Sequence, residues 1–124
     1  MATMEMQVAQ AHHQATDTRF EDVAASLQSL LSRRLVAYIA GVKDGKTVSR
    51  WANGEVEARP EHEGRVRAAY QIAVLLSEFD SPRIVKAWFI GLNPHLGDTA
   101  PAEVIHDGQS KEALAAARAF IVGG

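Results

Sequence analysis

The chain has no cysteine, so disulfides and thiolate metal sites are excluded. No apolar run approaches the roughly eighteen residues that a membrane span needs. Residues 1–17 lack the charged start and apolar run of a secretory signal. A cytoplasmic protein is therefore expected, with no membrane partner. The net charge of -2 excludes a generally cationic nucleic-acid binder. Sustained alternation of apolar and polar residues is missing, as are hairpin dipeptides between apolar runs, so no strand is expected. Catalytic signatures are missing too. His12, His13, His62, His95 and His106 are scattered, and neither a His-x-x-x-His pair on a helix nor a Gly-x-Ser-x-Gly elbow nor a phosphate loop occurs. His12-His13 and His106-Asp107 are adjacent pairs whose side chains diverge. An enzyme is not expected, nor a metal or cofactor.

What is present is helical punctuation. The 124 residues suit one domain with a modest core. Residues 1–17, rich in Ala, Gln, Met and His, show little periodicity and read as a mobile tail. Thr18 and Glu21 fit a capping box ahead of a helix over about 19–31, in which Phe20, Val23, Leu27, Leu30 and Leu31 recur at helical spacing. Ser32 caps a second helix with Leu35, Val36 and Ile39, ended by Gly41. Asp44 caps a third, from Gly45 to about Ala52, stopped by Asn53-Gly54. A polar connector, Glu55 to Gly64, leads to the longest helix, 65–79. Its wide apolar stripe (Val66, Ala69, Tyr70, Ala73, Leu76 and Phe79, widened by Ile72 and Leu75) suggests burial on more than one side, against the core alone or the core plus a second subunit. Ser81-Pro82 opens a helix to about residue 90. Pro101 opens a short one that Gly108 stops, and Ser110 caps the last. The fold expected is all-α: a flexible tail at 1–17, a helix-turn-helix module at 18–60, and a helical module at 61–124.

Charge is uneven along this layout. Residues 1–32 carry one Arg against four acids, whereas residues 33–67 carry eight Lys or Arg against five. In that basic middle, Ala37, Gly41, Val42, Val48 and Trp51 are placed to pack two short helices across a sharp turn. Lys46, Thr47, Ser49, Arg50 and Asn53 are left outside, a set suited to a helix in the major groove. Arg33 and Arg34 are placed for phosphate contacts. The stretch resembles the helix-turn-helix of Xre-type regulators, whose second helix reads Thr-Val-Ser-Arg-Trp. Here four residues, Lys43 to Lys46, separate Val42 from Thr47 where that pattern has three, so the turn is one residue longer. The modest local charge, and the two half-sites that such a motif serves, favour a homodimer.

The second half adds a constrained stretch, Trp88 to Ile105, with Pro94, Pro101, Gly91 and Gly97. Trp88, Leu92-Asn93-Pro94, Leu96-Gly97, Pro101-Ala102-Glu103-Val104-Ile105 and Gly108 look like the C-terminal domain of Xre/MbcA/ParS antitoxins, and the resemblance runs from about Ser32 to Gly124. It implies a RES-domain toxin partner that degrades NAD. It implies that the antitoxin's C-terminal region covers the toxin's active site, and that the operon is repressed through operator DNA. By position, Trp88, Asn93, Leu96, Pro101, Val104, Ile105 and the final helix fall in the toxin-binding module. Read as residues, Trp88, Leu96, Val104 and Ile105 suit the core. Lys111, Arg118 and the Gly123-Gly124 end suit direct contact. The other reading left open is a free-standing DNA-binding regulator without a toxin.

Overall fold

The computed structural model describes residues 3–123. Among them every regular element is helical: α1 (Met4–Asp17), α2 (Phe20–Leu31), α3 (Arg33–Ala40), α4 (Gly45–Ala52), α5 (Pro60–Ser77), α6 (Pro82–Ile90), a 3-10 turn (Pro94–Leu96), α7 (Pro101–His106) and α8 (Ser110–Ile121). The all-α expectation holds. No helix is long and apolar enough to cross a membrane among the described residues.

The axle is α5. Pro60 sits at its first turn, where a missing N–H costs nothing. The helix therefore starts five residues before the expected Arg65. It ends at Ser77, so Phe79 lies in the following turn and is exposed rather than in the stripe. Its remaining apolar faces are fully used: Val66, Ala69, Tyr70, Ile72, Ala73, Leu75 and Leu76 are buried. They meet α1, α2, α3, α6, α7 and α8. Six neighbours from the same chain cover the buried part of the wide stripe. One continuous apolar cluster runs from Ala15 to Ala117, so the two expected modules share a core.

The expected tail is instead α1. Thr3 Oγ1 accepts from the Met6 N–H at its start. Ala11 and Ala15 are buried against α5. Two small side chains give little periodicity to read, yet they allow close helix approach. Arg67 completes the attachment. Its Nη1 donates to the carbonyls of Ala15 (2.7 Å) and Thr18 (2.8 Å), while its Nε pairs with Glu63. The guanidinium also lies 5.7 Å from the Phe20 ring centroid. Gln14 Nε2 adds a bond of 3.0 Å to the Tyr70 hydroxyl. Thr18 therefore closes α1 and does not cap α2. The N-cap of α2 is Arg19, without a side-chain cap, and Glu21 pairs with Arg19 at 2.6 Å.

Between α2 and α3 the chain turns on Ser32, at φ 95°. That region is rarely populated by a residue with a side chain. Ser32 recovers part of the cost because its Oγ accepts from the Leu35 N–H at 3.2 Å, as expected of the cap. Ser110, by contrast, is already inside α8, whose N-cap is Gln109 without a side-chain bond.

Candidate functional site

Two surfaces stand out. The first is built by α3 and α4. Gly41 takes the left-handed conformation that ends α3, at φ 89°. Its N–H and that of Val42 both reach the Ala37 carbonyl at 3.0 Å. The last carbonyl of α3, Ala40 O, accepts from His62 Nδ1 at 2.7 Å and Arg65 Nη1 at 3.3 Å. A carbonyl only accepts, so His62 carries its proton on Nδ1. Both donors come from α5 and satisfy the negative end of α3. Asp44 then caps α4, its Oδ1 accepting from the Lys46 N–H at 2.9 Å. Val48 and Trp51 are buried. The Trp51 ring meets the Phe20 ring edge-on at 5.5 Å, fixing α4 on α2.

The longer turn is absorbed at the head of α4, where Gly45 is already helical. A side chain there would press on the Arg33 stem, 3.1 Å from where its Cβ would lie. Gly45 thus makes room for Arg33 beside the start of α4. Arg33, Arg34, Lys46, Arg50 and Asn53 are exposed. So is Lys43 in the turn, which the reading of the pattern passed over. Thr47 is half-buried. Ser49 differs from expectation: its hydroxyl donates to Gln28 Oε1 at 2.7 Å, so it ties α4 to α2 instead of pointing outwards. Asn53 Nδ2 is partly engaged by Glu55, at 3.2 Å. In this motif the exposed cations without an ion-pair partner among the described residues are Arg33, Arg34, Lys43, Lys46 and Arg50, arranged around a short helix. This geometry suits phosphate contacts from the flanks and base contact from Arg50.

The second surface surrounds the Gly91–Asp98 loop. Asn93 is the only polar residue buried among the described ones, 7% exposed. Its Oδ1 accepts from the His95 N–H, and its carbonyl accepts from Leu96 and Asp98 N–H groups, all at 2.9 Å. An isolated bridge to Thr99 closes the loop, and Gly97 takes a left-handed conformation at φ 62°. Trp88, Pro101, Val104 and Ile105 are buried, and Leu96 is half-buried against the core. These residues and Asn93 build the frame. Most of their surface is spent inside the protein, although Trp88 and Asn93 also line an open groove. Lys111, Arg118 and Gly123 are exposed; Gly124 lies outside the described residues.

Around this frame Ile84, Leu92 and Val122 are exposed and Phe120 is half-buried; of these, Ile84 lies outside the recognised motif. Ile84, Leu92 and Phe120 line an open groove of about 390 Å³ with Ala87, Trp88 and Pro94. Val122, 70% exposed, follows Phe120 at the end of α8. The available signal was Ile84: one turn before Trp88, it lies at the rim of the Val85, Trp88 and Phe89 face, so α6 is apolar beyond its buried side. The Trp88 indole Nε1 lies out of solvent without a hydrogen-bond partner, a cost of about 1–3 kcal/mol.

The two surfaces meet through α3 and α7. His106 stacks on Tyr38, with centroids 4.5 Å apart and planes 8° from parallel, and its Nδ1 donates to the Tyr38 carbonyl at 2.6 Å. Burial, then the charges of Glu103 and Asp107, push the Tyr38 hydroxyl pKa up from 10.0. Among the described residues no three His, Asp or Glu side chains converge as a metal ion would require. Comparisons with protein-family models, with curated proteins and with solved structures find no match.

Proposed function

We propose that the chain is an antitoxin with a DNA-binding face. It inhibits a RES-domain NAD-degrading toxin through its C-terminal module and represses its own operon through α4. The observation that carries the DNA half is the division of α3 and α4. Val36, Ala37, Ile39, Ala40, Val48 and Trp51 are all inward, and Arg33, Arg34, Lys46 and Arg50 are all outward. A helical hairpin used only for packing would not require that cluster of free cations on one short motif. The toxin half rests on the resemblance of Trp88–Gly108 to the antitoxin domain. It is supported by the way those residues form a fixed frame for α8.

On this reading the contacts come from the exposed side of α8, Lys111 and Arg118, and from the chain end at Gly123. Arg118 offers a planar donor pair suited to a phosphate-binding or acidic position in the toxin's cleft. Truncation after Gly108 would be a poor test, since Ala113, Ala116 and Ala117 of α8 are core residues. Surface substitutions are better. The experiment is co-expression with the neighbouring reading frame while cellular NAD is followed. Wild type is expected to restore NAD and growth and to purify as a stable complex. Lys111→Glu with Arg118→Glu is expected to lose both. Failure of wild type to bind or protect would leave a free-standing regulator, which shares the α4 face and needs no toxin.

A further inference from the structure

We infer, resting on the DNA-binding role proposed for α4, that His62 with Arg65 beside it sets the angle at which α4 leaves α3. His62 is then a positioning residue for the DNA-reading helix, supplied by α5. The turn between α3 and α4 is one residue longer than in the Xre-type pattern, with Lys43 to Lys46 between Val42 and Thr47. A longer turn leaves the second helix more directions to take. The bonds that end α3 at Gly41 and begin α4 at Asp44 are local, reaching only Ala37, Tyr38 and Lys46. They fix where each helix stops and starts, but not how one is aimed from the other.

The long-range restraint at this turn comes from the first turns of α5. His62 Nδ1 donates to the Ala40 carbonyl at 2.7 Å, and Arg65 Nη1 adds a second donor at 3.3 Å. Carbonyls in the last turn of a helix have no partner within it, so a donor there fixes where the chain leaves α3. Both groups also lie against the turn glycine. A Cβ at Gly41 would stand 3.2 Å from Arg65 Nη1 and 3.8 Å from His62 Nδ1. The His62 ring lies 6.4 Å from the Trp51 ring, tilted by 32°, and Trp51 is the buried anchor of α4. One half-buried side chain therefore bonds the last residue of α3 and sits beside the core residue of α4, before and after the lengthened turn in the chain. The far side of α4 is already tied to α2 by the Ser49–Gln28 bond and the Trp51–Phe20 pair. A helix held in its binding orientation binds at full strength, whereas one that adopts it a fraction of the time binds more weakly by that fraction.

The test compares His62→Leu, which keeps much of the bulk and loses the donor, with His62→Asn, whose amide N–H stands as far from the backbone as Nδ1 does. Two readouts are taken at one pH. The first is titration of duplex DNA from upstream of the chain's own reading frame, over a range of salt. The second, without DNA, is amide exchange at Val42 and Thr47, whose N–H groups bond to the Ala37 and Asp44 carbonyls on either side of the turn. His62→Leu is expected to weaken DNA binding by about tenfold with its active fraction and helical content unchanged, and to speed exchange at both amides. His62→Asn is expected to recover most of both losses. The salt slope should stay that of wild type, because a positioning residue displaces no counterion. Equal DNA affinity of wild type and His62→Leu would overturn the inference and leave the DNA-binding role of α4 standing. So would an Asn variant as weak as the Leu variant, or a smaller salt slope, which would make His62 a phosphate contact. A wild type that binds no DNA would sink the role of α4 itself. Exchange at Val42 and Thr47 that His62→Leu leaves unchanged would show, with or without DNA, that His62 does not hold the turn.

Discussion

The α3–α4 hairpin and the Asn93–Gly108 segment are both held by short-range hydrogen bonds over a shared core, yet they present opposite chemistry to solvent. Around α4 the outward side chains are cations on flexible stems. Around the Asn93 loop they are aliphatic groups on a rigid turn. Cations on stems suit a charged polymer whose counterions are released on binding. Rigid apolar knobs suit a shaped surface. One fold thus carries two faces with different physics, joined by the Tyr38–His106 stack.

Breaking the anchor of each region should give unequal results. Trp51→Ala removes the ring that pins α4 on Phe20 and the core. A loss of about 3–5 kcal/mol is expected in chemical denaturation, the largest effect, and it would abolish the α4 face altogether. Asn93→Ala removes one buried acceptor of a backbone N–H, an expected loss of about 1–2 kcal/mol. Its signature is local: amide exchange at Leu96, Asp98 and Thr99, all bonded within this loop, should speed up while α4 amides keep their protection. Equal losses everywhere would mean that the loop is not a separate frame.

The smallest effect concerns the junction. The folded state raises the Tyr38 pKa, so it favours the neutral phenol. Its contribution is complete below the ordinary tyrosine value and is lost as pH rises through the folded value. Tyr38 is 42% exposed, which screens the effect. Tyr38→Phe should flatten the alkaline end of the stability profile slightly and leave neutral pH nearly unchanged. A profile of unaltered slope would show that another group dominates there.

Much of the framework was legible because local chemistry decides it. Ser32, Asp44, Ser81 and Pro101 begin helices where their side chains or fixed φ demand it, and Gly41 and Gly108 end them. The α1 helix was not legible, because its attachment depends on two alanines and on Arg67, more than fifty residues away in sequence. A shorter separation, of 21 residues, hid the turning of Ser49 towards Gln28. In the C-terminal half the recognisable pattern marks buried residues, since packing constrains Trp88, Asn93, Val104 and Ile105 most tightly. The exposed Ile84 and Leu92 and the half-buried Phe120 are far apart in sequence, and only the folded arrangement brings them to one groove.

The central claim is that α4 reads DNA through its outward cations while the rest of the fold supports it. The most direct measurement is a fluorescence anisotropy titration of duplex DNA from upstream of the chain's own reading frame, with wild type and Arg50→Ala. Arg50 is exposed, and its removal should change stability by less than about 0.5 kcal/mol. Its loss should weaken binding by about 1–3 kcal/mol, roughly ten- to a hundredfold. Equal affinity of the two proteins for that DNA, or no binding by wild type at low salt, would contradict the account.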